Sequence, residues 1–304
     1  MDNIRSSYIY KIGGLYLNVL LKTKRLDLAK QSGSYKFILY DSEFVDSDFS
    51  ISFSFIEKIK TPPVTPSFSS RSFGENQIPY EWEVFEFKDS FSLVFNVNNN
   101  PDIDLAEIKF KLNDKSVNIK LQQRNNNSSR ILFDPFFLPL GPILLNYLVH
   151  HAGGVMLHSS GVKDNENGYV FTAVSGTGKS TMAGLWQKTG AQIINDDRLV
   201  LIPGNDGVMM TNTPMPYYQD VYKESPVTAI FLIKQSPENY LKPLPGAAGV
   251  AGLMSNCIQF LYNKKMVQKH LEALTAIAEK SPIYELGFKP DTEITDIIRR
   301  EFGG

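Results

Sequence analysis

Apolar and polar residues alternate with a period of two through much of the first 134 residues. Leu15, Leu17, Val19 and Leu21 alternate with Tyr16, Asn18, Leu20 and Lys22. Ile51, Phe53 and Phe55 alternate with serines, and Phe91, Leu93, Phe95 and Val97 with Ser92, Val94 and Asn96. Successive strand side chains point to opposite faces, so this pattern predicts half-buried strands. Turn-rich stretches, Thr61–Pro66 and Asn98–Asp102, separate them. The polar run Gln122–Ser129 reads as a loop or domain junction. Residues 1–134 are therefore expected to form a β-rich domain, and its phenylalanines to fill its core.

After that junction the pattern changes. Pro142–His151 reads as an apolar helix closing at Gly153-Gly154, and Val155–Val162 as a strand. A second strand is expected over Tyr169–Val174 and a helix over Thr181–Lys188, stopped by Gly190. Further strands are read at Ile193-Ile194, Leu199–Ile202, Val208–Thr211, Val227–Leu232 and 282–286, with helices at 247–262, 265–279 and 292–302. Strands that follow one another with little helix between them predict a mixed sheet. The second domain, 135–304, is thus expected to be α/β.

Between the strand and the helix lies Ser175-Gly176-Thr177-Gly178-Lys179-Ser180-Thr181. Glycines let a tight loop aim backbone N–H groups at phosphate oxygens, and a following helix adds the positive end of its dipole. Lys179 would reach the β- and γ-phosphates, and Ser180 would hold Mg²⁺. The strand–loop–helix context suits a nucleotide such as ATP. The first glycine of the usual phosphate-loop pattern falls at Ala173. Asn195-Asp196-Asp197-Arg198 follows the next apolar run and supplies two carboxylates, one able to complete a Mg²⁺ shell and the other to accept a proton from an attacking hydroxyl. His158 lies within the preceding strand, where it could contact phosphate or tune the base. The adjacent His150 and His151 face different directions on a helix and read as structural.

Composition narrows the partners. The 304 residues are 42% hydrophobic and 21% charged with a net charge of −1, which gives no electrostatic footprint for nucleic acid. One cysteine, Cys257, excludes an intrachain disulfide. No signal-like or membrane-length apolar run is present, so a cytoplasmic protein off the membrane is expected.

Leu157-His158-Ser159-Ser160-Gly161-Val162, the Ser175–Ser180 loop and Asn195-Asp196-Asp197-Arg198-Leu199-Val200 together resemble the catalytic domain of HPr kinase/phosphorylase, and the related core of ATP-dependent phosphoenolpyruvate carboxykinase. The resemblance covers roughly residues 140–240. It implies a Mg²⁺-dependent phosphotransferase acting on a serine-like hydroxyl of a peptide, protein or small molecule. The loop from Ser175 to Thr181 would bind the nucleotide and Lys179 its phosphates. Ser180 and Asp197 would serve Mg²⁺, Asp196 would act as base, and His158 would lie near the transferred group. The assignments of the two aspartates are interchangeable at this stage. A homo-oligomer is a further implication. The family's acidic residue after the loop serine is replaced by Thr181, and its Arg-Gly-Leu-Gly signature by Asn212–Tyr218, so HPr is not carried over as the acceptor. Two alternatives stand beside this reading: a carboxykinase-like enzyme acting on a small carboxylate, and an inactive nucleotide-binding adaptor, favoured by Ala173 and the missing signature.

Overall fold

The computed structural model describes residues 6–40, 45–70, 81–97, 100–111, 115–124, 130–215, 220–259 and 263–303. The chain divides into two compact units, Met1–Leu145 with Pro214–Val221, and Asn146–Thr213 with Tyr222–Gly304. It is a mixed α/β protein, richer in strand than in helix. Among the described residues no helix is long and apolar enough to cross a membrane.

The first unit carries β1 (Ser6–Ile12), β2 (Leu15–Leu21), β3 (Leu26–Leu28), β4 (Ile38–Leu39), β5 (Phe49–Ile56), β6 (Phe68–Ser69), β7 (Trp82–Phe87), β8 (Ser90–Asn96), β9 (Ile103–Lys111), β10 (Ser116–Gln123) and β11 (Ile131–Phe133). Among the described residues, nine of them form one sheet in the order β4-β1-β2-β5-β10-β9-β8-β7-β6, and β3 pairs with β11. The alternation in β2 is realised without exception: Leu15, Leu17, Val19 and Leu21 are buried, and the residues between them are half-buried. β5 departs from it, because Ser52 is also buried and donates to Asn118 Oδ1 at 2.8 Å on neighbouring β10. Phe53 meets Phe133 of β11 edge-on at 5.2 Å, which ties the small sheet to the large one.

Helix α1 (Leu140–His151) crosses the division between the units. The second unit continues with β12 (Val155–Asp164), β13 (Asn167–Thr172), α2 (Lys179–Lys188), β14 (Gln192–Asn195), β15 (Arg198–Gly204), β16 (Gly207–Asn212), β17 (Glu224–Pro226), β18 (Ala229–Gln235), β19 (Tyr240–Pro243), α3 (Ala247–Met254), β20 (Cys257–Ile258), α4 (Lys264–Lys280), β21 (Ile283–Phe288) and α5 (Glu293–Phe302). The sheet runs β17-β16-β15-β12-β13-β18-β21-β19, with β14 and β20 also on β12. At its centre β13, β18 and β21 are parallel.

Helices cover both faces of this sheet. Val170 and Ile230 join one apolar cluster with Leu253 of α3 and Ala273, Leu274 and Ile277 of α4. Tyr169, Phe171 and Phe231 join the other with Met182, Leu185 and Trp186 of α2 and Ile294 and Ile298 of α5. A strand buried on both faces reads as a continuous apolar run, which is why Tyr169-Val170-Phe171 shows no alternation. On α4 the buried residues His270, Ala273, Leu274 and Ile277 follow helical spacing, and the Asn263 side chain caps the helix by accepting from Met266 N.

Three expectations are corrected. The strand before the glycine loop ends at Thr172 rather than Val174, and α2 starts at Lys179 rather than Thr181. The helix expected over 247–262 stops at Met254. Asn256 turns its Nδ2 back onto Gly252 O at 2.9 Å, and Cys257 and Ile258 then pair with β12. Residues 260–262 of that expected helix lie outside the described residues, as do 98–99, 125–129 and 216–218 of the segments read above.

Candidate phosphate-binding site

One strand sets the geometry. β12 changes neighbours on both sides at His158–Ser159. Along one side Ser159–Asp164 pair with β13 and Met156–Leu157 with β20. Along the other, Gly161–Lys163 pair with β14 and Val155–His158 with β15. The two changes coincide with two departures of backbone. Opposite Ser159, the chain leaves β13 at Thr172 and enters the glycine loop. Opposite Ser159 and Ser160 on the other edge, Asp196 and Asp197 form the bend that joins β14 to β15. Ser159 N donates to Asp197 O at 3.1 Å, Thr172 Oγ1 donates to His158 O at 3.0 Å, and His158 lies directly across from Arg198.

The loop itself needs its glycines. Gly176 and Gly178 have φ of 82° and 118°, in the region that side chains avoid. Gly178 begins α2 and accepts from Met182 N at 2.9 Å. The amides of Lys179, Ser180 and Thr181 then have no acceptor within the helix, and they stand at the positive end of its dipole. Ser175, Gly176, Ser180 and Thr181 are exposed to solvent. Ala173, where the usual pattern has glycine, does not have positive φ, and its methyl group packs in the apolar cluster of α2 and β13. That substitution leaves the loop open.

Lys179 is buried. Its Nζ donates to Ala173 O at 2.9 Å and Val174 O at 3.3 Å. Burial pushes its pKa below the usual lysine range, and the Asp197 carboxylate pulls it part of the way back. The Asp197 carboxylate also lies 3.2 Å from Arg198 Nε and 3.8 Å from His158 Nε2. Burial lowers the His158 pKa first; Lys179 and Arg198 lower it further, and Asp197 opposes them. His158 and Asp197 form an ion pair only when the imidazole is protonated, which its burial and the two cations disfavour.

The structure thus brings together Lys179, His158, Asp197 and Arg198. Asp196 precedes them in the same bend, its side chain exposed and, among the described residues, without a hydrogen bond or ion pair. Two contributors carried no role in the sequence reading. Arg198 was visible only as part of a motif. Asn195 is buried, and its Oδ1 accepts from Asp197 N at 2.9 Å and Arg198 N at 3.3 Å, the side-chain turn that asparagine favours.

Among the described residues no group of three or more His, Cys, Asp or Glu side chains could hold a metal ion by themselves. Mg²⁺ makes a smaller demand: one or two protein oxygens, with waters and phosphates for the rest. The Ser180 hydroxyl and the Asp197 carboxylate are donors of that hard type.

No family model and no curated protein matches this sequence. Among solved structures, the chain is similar to the HPr(Ser) kinase/phosphatase from Coxiella burnetii, at 10% identity and a TM-score of 0.30, over 49% of this chain and 99% of that one. So distant a likeness carries no weight for activity, which has to be argued from the residues.

Proposed function

We propose that this protein is a Mg²⁺-dependent phosphotransferase that moves the γ-phosphoryl group of a nucleoside triphosphate to a hydroxyl acceptor. The observation that supports this most is the register of β12, which sets the glycine loop and the Asp196-Asp197 bend on opposite edges of one strand at one level. The amides of Gly176–Thr181 would hold phosphate oxygens, and Lys179 would leave its carbonyl partners to meet the β- and γ-phosphates. Ser180 and Asp197 would hold Mg²⁺, which when bound neutralises charge on the phosphate oxygens. Arg198 Nε, 3.2 Å from the Asp197 carboxylate, would help to hold it in place. His158 and Arg198 would face the group in transit, and Asp196, exposed and unpaired, would take the proton of the acceptor hydroxyl. Little covalent chemistry falls to the protein; positioning and charge carry the rate.

Lys179→Ala should abolish nucleotide binding and lower turnover by about 100-fold or more, read by calorimetry and by release of γ-phosphate. Asp196→Asn and Asp197→Asn separate the carboxylate roles. The base variant keeps its Mg²⁺–nucleotide affinity and loses turnover, whereas the ligand variant loses the Mg²⁺-dependent part of the affinity. Wild-type turnover in both variants would remove the carboxylates from the mechanism.

A further inference from the structure

The frame that sets the site is built from side chains that never touch it. On the loop edge of β12, the fully buried Ser160 donates from Oγ to Lys179 O at 3.1 Å, pinning the first residue of α2 to the strand. On the other edge, Asn195 holds the Asp196-Asp197 bend, its Oδ1 accepting from Asp197 N and Arg198 N. Ser159 N ties the same bend to β12 through Asp197 O. Ser160 and Asn195 have no exposed surface with which to bind a ligand: they are 0% and 4% exposed. Each instead fixes the backbone that carries one half of the proposed chemistry.

We propose that Ser160 and Asn195 are a pair of positioning residues with separate duties. Ser160 sets the phosphate half by holding the turn that presents Lys179 and the first amides of α2. Asn195 sets the metal half by fixing the backbone from which Asp197 and Arg198 project. The inference rests on the nucleotide reading above and divides its free energy between two edges of one strand. Buried partners that orient metal ligands act in the same way, and their loss typically costs 10–100-fold in affinity.

The test is calorimetric titration of the full chain with a non-hydrolysable ATP analogue, with Mg²⁺ and with EDTA, for wild type, Ser160→Ala, Asn195→Ala and Asn195→Asp. Ser160→Ala should weaken the Mg²⁺-free affinity roughly tenfold and leave the gain on adding Mg²⁺ intact. Asn195→Ala should keep the Mg²⁺-free affinity and lose roughly tenfold of that gain. Asn195→Asp retains an acceptor oxygen and should restore most of it. Thermal melts of the unliganded variants report any general loss of fold. Equal loss of both components in both variants, or no change in either, would overturn the division of duties while wild-type binding upheld the nucleotide reading. No binding by wild type would overturn that reading itself, and this pair's role with it.

Discussion

Gly178 sits at the entrance to α2 with φ of 118°, and a Cβ there would stand 2.9 Å from Phe288 Cζ. Backbone conformation and space both exclude a side chain. Gly178→Ala should cost about 1–3 kcal/mol of stability and weaken nucleotide binding, seen together in a thermal melt and a titration; unchanged affinity would contradict the loop's role. A different residue reports on pH. His270 is buried against His150, with ring centroids 5.9 Å apart, and its Nε2 has no hydrogen-bond partner among the described residues. Burial first, and His150 second, push its pKa down from 6.5 to about 4. The folded state therefore holds His270 neutral where the unfolded chain binds a proton. Stability from this group is complete above about pH 6.5 and is lost as pH falls toward 4, by up to about 3 kcal/mol. His150, lowered mainly by its own burial, acts in the same direction. In urea unfolding between pH 4 and 7, His270→Leu should flatten the slope; an unchanged slope would place the acid sensitivity elsewhere. At this scale Lys179, Ser180 and the two aspartates could be proposed from the sequence because the glycine loop and the Asn-Asp-Asp-Arg run are local patterns. Asn195 and Ser160 were not, because their bonds depend on which strands lie side by side.

Among elements, α5 is held to the sheet by more than its apolar face. Arg299 reaches Asp164 at the end of β12 with two bonds of 2.8 Å, from Nε and a terminal nitrogen, and its guanidinium lies 5.2 Å from the Trp186 ring of α2. Three elements meet at one side chain. The pair is partly exposed, with Arg299 32% and Asp164 11% accessible, so its loss is worth less than that of a fully buried pair. Arg299→Met should cost about 1–3 kcal/mol in urea unfolding, and a cycle with Asp164→Asn should show that most of the cost is shared; additive effects would deny the coupling. Elements with a strong period, such as β2, α2 and α4, could be read from sequence to within two residues at most. Short strands escaped. β19 is four residues of exposed or half-exposed edge, and β20 is two residues whose strand character comes from pairing with β12. The apolar run after 247 carried the helix reading past Met254, where only the Asn256 turn and that pairing end it.

For the whole molecule, the order of strands was beyond the sequence pattern. β5 lies parallel to both β2 and β10, pairings that bridge long stretches of chain and leave no local signal. The same holds for the level at which β13 and the β14–β15 bend meet β12, on which the proposed site depends. His158, Lys179 and the Asn195–Arg198 turn all belong to the second unit. The measurement that tests the proposed nucleotide site most directly is calorimetric titration of the full chain with a non-hydrolysable ATP analogue and Mg²⁺, beside Lys179→Ala. Micromolar binding by the wild type that disappears in the variant is the predicted result. No binding by a folded wild type, or equal binding by both proteins, would contradict it.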